Sequence, residues 1–400
     1  MSSARPSVYP EQPIARPIRA TVRDSGSPQT RWKLLNCPAA QAELLDEHSA
    51  KCTERYERNA ENFIGTVKVP LGLMAHLRVH GTKGSHDYRP PLATTEATLV
   101  ASYSRGARLI TAAGGCSARV TRASVSRAPG FVFESAVEST EFAAWCNEQV
   151  AAFEQGAART SRFVRLIATR TVVEANHVYL ILDFSTGNAA GQNMVTVATQ
   201  AILDHILNEC PTAPRRAYIE ANLSGDKKAC AQSLLLGRGR SVTADVIIPP
   251  ALLLEHLRIT PRAREKYFHL SAIGAALSGA IGAQGHYANG LAALFIACGQ
   301  DVACVAESAV GITRFEERDD GSLYASVTVP NLVVGTVGGG TGLPSQRACL
   351  DLLGLGDVDT ANEFAELCAA VVLAGELSIV GAIVANEFTR AHVALGRRAQ

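Results

Sequence analysis

The segment Leu223-Ser224-Gly225-Asp226-Lys227-Lys228 sets two adjacent lysines behind an aspartate in apolar, glycine-rich surroundings. That setting suggests catalysis, because a lysine in a dry site or near another cation can supply a proton or polarise a carbonyl. On an open loop the same pair would be ordinary solvated charge. Its meaning depends on three distant residues, Glu96, Asp301 and His392. Taken singly, Asp301 reads as a helix-end residue behind Ile296-Ala297-Cys298-Gly299-Gln300, and His392 as a surface histidine in Arg390-Ala391-His392-Val393. Glu96 precedes Leu99, Val100 and Tyr103 at helical spacing, so it sits near a helix N-terminus, which favours its ionised form. Periodicity alone does not bring the four together.

Two glycine-rich segments could approach an anion with their backbone N–H groups. Gly335-Thr336-Val337-Gly338-Gly339-Gly340-Thr341-Gly342 fits neither the GxGxxG spacing nor a phosphate loop ending in lysine, and both a plain turn and an anion cradle remain open. Gly187-Asn188-Ala189-Ala190-Gly191-Gln192-Asn193-Met194 lies between a predicted strand and a predicted helix, a placement that suits an anion site.

The elements that must position these groups come from a chain of 400 residues, 47% hydrophobic and 19% charged, which is long enough for two or more domains around a large core. A formal net charge of +1 argues against nucleic acid or an anionic membrane as a general partner. The ten cysteines show no CxxC pair and no zinc-like spacing, so reduced thiols in a cytoplasmic protein without a metal site are expected. Residues 1–20 contain no apolar core of a secretory signal. The best membrane candidate, Ala369 to Ala385, is 17 residues long and interrupted by Glu376, which predicts a buried helix.

Residues 1–36 mix Pro, Arg, Ser and Thr and predict an extended or partly disordered arm, followed by a charged helix from Ala39 to Arg58 and a strand from Thr66 to Leu71. The clearest unit spans Pro129 to Arg216. Strands are predicted at Phe131 to Glu134, Phe163 to Thr171 and His177 to Phe184, helices at Thr140 to Phe153 and Met194 to Leu207, and a closing strand at Ala217 to Glu220. This βαββαβ order is the split ferredoxin-like arrangement. Beyond it the chain turns Ala-rich and helical, with small residues from Gly274 to Gly285 that permit close packing.

Seven segments stand out together: Glu61-Asn62-Phe63-Ile64-Gly65, Ala93-Thr94-Thr95-Glu96, Leu99-Val100-Ala101-Ser102, Asp226-Lys227-Lys228, Ile296-Ala297-Cys298-Gly299-Gln300-Asp301, the Gly335 to Thr341 loop, and Ala374-Gly375-Glu376-Leu377-Ser378. Together they resemble hydroxymethylglutaryl-coenzyme A (HMG-CoA) reductases, in particular a soluble catalytic portion with the animal and fungal type of active site. They occur in the family's order over roughly residues 60 to 395.

The resemblance implies an NADPH-dependent four-electron reduction of an acyl-CoA thioester, HMG-CoA to mevalonate and CoA, through a hemithioacetal and an aldehyde. Such chemistry needs an oxyanion stabiliser and proton sources for the departing thiolate and the final alkoxide. By resemblance, Lys227 stabilises the oxyanion, Glu96 is a general acid, Asp301 orients and tunes them, and His392 protonates the thiolate. Ser102, Arg105, Arg127, Asp226, Lys228 and Asn289 match substrate-binding positions. Ser161, Arg162, Phe163, Asn188, Gly191, Gln192, Asn193, Met194, Gly338 and Gly339 match cofactor-binding ones, and Arg162 favours NADPH over NADH.

The implied fold is α+β: a large, mainly helical acyl-CoA-binding domain (residues 59–128 and 218–400) with an inserted ferredoxin-like cofactor domain (129–217), preceded by an arm and helical segment (1–58). A homodimer or homotetramer with an intersubunit active site follows from the same resemblance. The chain departs from the family pattern at Glu220, where a serine is usual, and at Leu270, where a lysine is usual, with His269 or Lys266 as alternative sources of that charge. Asn188 replaces an aspartate. These changes admit a second expectation, reduction of a different acyl-CoA or a carrier-bound thioester, and a third, a non-catalytic binding relative.

Overall fold

Four short helices, α1 (Pro28–Leu35), α2 (Pro38–Leu44), α3 (Glu47–Lys51) and α4 (Thr53–Glu57), open the computed structural model, which describes residues 26–385. Helix α1 lies in the arm expected to be extended. Ser27 caps it by accepting the Thr30 N–H, and tertiary contacts hold it: the Trp32 Nε1–H donates to Ile64 O at 2.6 Å and Arg31 Nη1 to Phe63 O at 2.9 Å. The single helix expected over Ala39 to Arg58 is instead three, because Asp46 accepts the Ser49 N–H and starts a new helix. Residues 66–70 form no strand, and Thr66 donates its N–H to Leu44 O.

Strands β1 (Leu71–Leu73) and β4 (Pro91–Ala93) pair around the hairpin β2 (Leu77–Gly81) and β3 (Gly84–Tyr88). Helix α5 (Leu99–Ala112) follows, then the long strand β5 (Cys116–Arg127). The chain continues through β6 (Gly130–Val132), α6 (Ala136–Glu148), α7 (Val150–Ala158), β7 (Arg165–Glu174), β8 (His177–Ser185), α8 (Gln192–Glu209) and β9 (Arg216–Tyr218). Antiparallel pairing gives the strand order β9-β6-β8-β7, the βαββαβ order read from the sequence, with two helices in its first crossover. This unit has a hydrophobic cluster of its own, built on Phe131, Phe142, Phe153, Phe184 and Ile202. The last residues of β5 pair with β8, so β5 runs from one part of the sheet into the other.

The remaining elements are α9 (Gln232–Leu235), β10 (Gly239–Ile248), α10 (Pro250–Leu257), α11 (Pro261–Ser278), β11 (Gly282–Ala283), α12 (Tyr287–Ala297), α13 (Val305–Ser308), β12 (Gly311–Glu317), β13 (Leu323–Leu332), α14 (Pro344–Leu353) and α15 (Thr360–Val384). Helices make up most of the regular structure in this part. A sheet ordered β11-β12-β13-β10-β5 runs through it, and the fold is mixed α/β. Strand β10 alternates buried and partly exposed residues along Val242 to Val246, the period of a strand with one covered face.

Helix α15 is 25 residues long, more than the 17-residue run seen in the sequence, and its most apolar 18-residue window, of mean hydropathy 2.3, meets the length and composition of a membrane span. Its most apolar window is nevertheless 83% buried inside the protein, packed on α5, α12, β5, β10 and β13. Glu376 is satisfied there: its carboxylate accepts the Gly285 and His286 N–H groups and the Thr313 hydroxyl, each at 2.8 Å. A buried carboxylate needs such partners, and α15 is the helix at the centre of the main core.

Candidate active site

The lysine loop leaves β9 and reaches Lys227 in a left-handed conformation, φ +55°. The Lys227 N–H donates to Glu307 Oε1 at 3.3 Å, and its ammonium meets Asp301 Oδ2 at 2.8 Å. Asp301 is aimed by its own turn. Its Oδ1 accepts the Ala303 N–H at 3.0 Å, which leaves Oδ2 for the lysine. The hydrogen bond to Asp301 outweighs partial burial and raises the pKa of Lys227 above its ordinary 10.5. The neighbour that tunes this lysine is therefore a carboxylate.

Lys228 is exposed and donates to Asp226 O, within its own loop, at 2.9 Å. Arg127 Nη1 donates to Asp226 Oδ2 at 2.8 Å and its Nε to Thr196 Oγ1 at 3.0 Å. Burial pushes the Asp226 carboxyl up, but Arg238 and Arg127 beside it prevail and hold it below the ordinary carboxylate range. Glu220 lies at the entrance of this loop. It accepts the Asn222 N–H at 2.8 Å and the Ala128 N–H at 3.3 Å, and it stands 3.6 Å from Arg127.

Two residues of this cluster escaped the reading of the sequence. Arg238 and Glu307 are buried and form a two-point ion pair at 2.8 and 2.9 Å. Burial raises the pKa of Glu307 despite Arg238 beside it. The available signal for Arg238 was an arginine between two glycines, Gly237-Arg238-Gly239, directly after the apolar run Leu234-Leu235-Leu236.

Glu96 is placed elsewhere. It is exposed and accepts the Asn289 Nδ2–H at 2.9 Å, with Asn289 in the first turn of α12. Asp301 follows the other end of that helix. The eight-residue separation from Asn289 to Ala297 spans about 12 Å at 1.5 Å per residue, so one chain holds Glu96 and the Lys227–Asp301 pair at opposite ends of α12. Ser102 and Arg105, on α5, both reach Ser378 of α15: the hydroxyls are 2.9 Å apart and Arg105 Nε donates at 3.1 Å. Leu270, where the family's usual lysine falls, is a surface residue. It is 69% exposed on α11, a helix that packs on β11, β12 and α15. His392 lies outside the described residues.

The two glycine-rich segments lie together. Thr336 donates its N–H to Asn188 O at 2.9 Å, and Ala189 and Val337 form a parallel bridge. Gly191 precedes α8 at φ +85°, where a Cβ would lie 2.3 Å from Thr186 Cγ2, so only glycine fits. Helix α8 has no side-chain cap, which leaves its first N–H groups for a ligand. Gly338 and Gly339 both have positive φ and open space where a Cβ would stand. Asn188 Oδ1 accepts the Ala361 N–H at 3.2 Å, Asn193 is exposed, and Met194 packs on the second cluster. Ser161 Oγ accepts the Phe163 N–H, and the Arg162 guanidinium lies 4.6 Å from the Phe163 ring centre. Because Arg165 pairs with Ser185, Ser161–Phe163 and the loop after β8 lie at the same end of the sheet.

A family model described as hydroxymethylglutaryl-coenzyme A reductase matches residues 27–397. The chain belongs to the HMG-CoA reductase family. The 3-hydroxy-3-methylglutaryl-coenzyme A reductase of Methanothermobacter thermautotrophicus is 40% identical over 357 residues, covering 89% of each chain. That of Halobacterium salinarum is 41% identical over 343 residues, covering 84% of each. Among solved structures, the class II enzyme of Streptococcus pneumoniae bound to NADPH has a TM-score of 0.65 at 21% identity, covering 89% of this chain and 97% of that one. At that identity the likeness concerns the fold.

Proposed function

We propose that this protein catalyses the NADPH-dependent four-electron reduction of HMG-CoA to mevalonate and CoA. The observation that carries the reading is the Lys227–Asp301 pair, 2.8 Å apart and tied through Arg238 to the loop at the head of α8. Lys227 stays protonated near neutral pH, so it can stabilise a developing oxyanion and donate a proton to it. Asp301 orients that ammonium. Glu96, held by Asn289, serves as the second acid, and His392 is the proposed donor to the departing thiolate. Arg127, Asp226, Lys228 and Glu220 surround the acyl end.

NADPH suits the residues present: the uncapped start of α8, the open glycines at 338 and 339, and exposed Arg162 stacked on Phe163 provide anion-binding groups at one end of the sheet. When bound, each NADPH would supply one hydride, so the four-electron reduction would take two NADPH in succession. Gly191, Gln192, Asn193 and Met194 would hold the nicotinamide side, and Ser161 and Arg162 the adenosine phosphate.

Residues 129–217 form the proposed cofactor domain, with a cluster of their own, inserted between 59–128 and 218–400 as the substrate domain. The separation of Glu96 from Lys227 along α12 supports a homodimer or homotetramer in which each site draws one end of α12 from each of two chains. A cytoplasmic location suits this chemistry. The relatives quoted above are archaeal and bacterial, so the proposal concerns the family's reaction and not an animal or fungal subtype.

The test is NADPH oxidation by the purified protein with HMG-CoA against a panel of other acyl-CoA thioesters. Consumption of two NADPH per CoA released supports the reading. A second reading, reduction of an acyl group without a distal carboxylate, is favoured by Glu220, which already stands beside Arg127. Turnover confined to such acyl groups would replace the first reading with the second, and NADPH binding without any turnover would leave a non-catalytic relative.

A further inference from the structure

Arg238 lies at the end of the turn before β10 and is 2% exposed, yet every nitrogen of its guanidinium is engaged. Nη1 donates to both Glu307 oxygens, Nη2 to Gln192 Oε1 at 2.7 Å, and Nε to Ser126 O at 3.4 Å. Nη2 also stands 3.1 Å from Asp226 Oδ1 as an ion pair outside hydrogen-bond geometry. Its own backbone is anchored, because the Arg238 N–H donates to Asn331 Oδ1 at 2.8 Å at the end of β13.

The partners of this one side chain belong to both halves of the candidate site. Gln192 opens α8 on the cofactor side, and Asp226 is part of the lysine loop. Glu307, through its Oε1, holds the Lys227 N–H. A second path runs from Gln192 Nε2 to Cys304 Sγ at 3.0 Å, and the Cys304 N–H donates to Asp301 O at 3.0 Å. Arg238, Gln192, Cys304, Asp301, Lys227 and Glu307 thus form a closed circuit around the catalytic ammonium.

We infer that Arg238 is a positioning residue that registers the head of α8 and the Lys227 loop against each other, so that cofactor binding orders the lysine. The inference rests on the proposed reduction for its kinetic readout. A planar guanidinium can bridge three partners in one plane, which a lysine ammonium cannot, so Arg238→Lys keeps the charge and loses the bridge.

The test uses the full-length protein with Arg238→Lys, Arg238→Met and Glu307→Gln. Arg238→Lys should lower kcat with HMG-CoA by roughly 10- to 100-fold while KM for HMG-CoA stays within about threefold, the pattern of a misplaced catalytic group. In hydrogen exchange, NADPH should protect residues 223–228 of the wild type and protect them much less in Arg238→Lys. Should Arg238→Met fail to fold, Arg238→Lys and Glu307→Gln carry the comparison. Equal NADPH-induced protection of residues 223–228 in wild type and Arg238→Lys, or an unchanged kcat, overturns the inference. A wild type inactive on HMG-CoA would instead overturn the reaction reading, and the exchange experiment would still decide the role of Arg238.

Discussion

Replacing Asp301 by Asn removes one charge and keeps the size of the group that faces Lys227. At 2.8 Å the Coulomb term is about 1.5 kcal/mol at the dielectric of water. Both side chains are more than 40% exposed, so solvent screening reduces the net contribution to about 0.2–1 kcal/mol. Lys227 should therefore fall back toward its ordinary 10.5 and stay protonated at pH 7.5.

The linkage has a definite sign. A lysine whose folded pKa is raised contributes stability that is complete below its unfolded value of 10.5 and lost as pH rises through the folded value. Stability at neutral pH should thus drop by at most about 1 kcal/mol, read by urea denaturation at pH 7.5 and again above pH 10. Activity should suffer more than stability, because the ammonium loses its aim: kcat for NADPH oxidation should fall roughly 10- to 100-fold at pH 7.5, with its alkaline limb moved to lower pH. An Asp301→Asn protein with wild-type kcat and an unmoved alkaline limb would refute the assignment of Asp301 as the group that aims Lys227.

Lys227→Ala should abolish NADPH oxidation while circular dichroism and NADPH binding are retained; residual turnover near the wild-type rate would remove the lysine from the mechanism. Glu220→Ser removes the carboxylate 3.6 Å from Arg127 and should lower KM for HMG-CoA by up to about tenfold, with no such gain for an acyl-CoA lacking the distal carboxylate. Glu376→Ala should cost about 3–5 kcal/mol in denaturant unfolding, since it strands buried N–H donors and the Thr313 hydroxyl inside the core. Burial pushes the Glu376 carboxyl up, but His286 and the backbone N–H groups lower it below 4.5; its stabilisation is present above that value and is lost as pH falls through the depressed one. The acid limb of a wild-type pH–stability profile measures it.

The sequence alone was enough to identify the βαββαβ unit, because the hydrophobic period changes between helix and strand there and Glu174-Ala175-Asn176 marks a tight turn, with Ala175 at φ +48°. It also singled out Asp226-Lys227-Lys228 and the two glycine loops, since such residue types are seldom adjacent in plain core. Tertiary structure decided which distant groups meet: Lys227 with Asp301, Glu96 with Asn289, and one glycine loop with the other. Periodicity describes a residue's neighbours within one element and carries no term for contacts between positions 227 and 301. For the same reason α1 and the β10–β13 sheet were missed, as their stability comes from long-range pairing and burial rather than local pattern. Arg238 was the least legible residue of all. Its role lies in partners drawn from five separate segments, which only the folded chain brings within reach of one guanidinium and its backbone N–H.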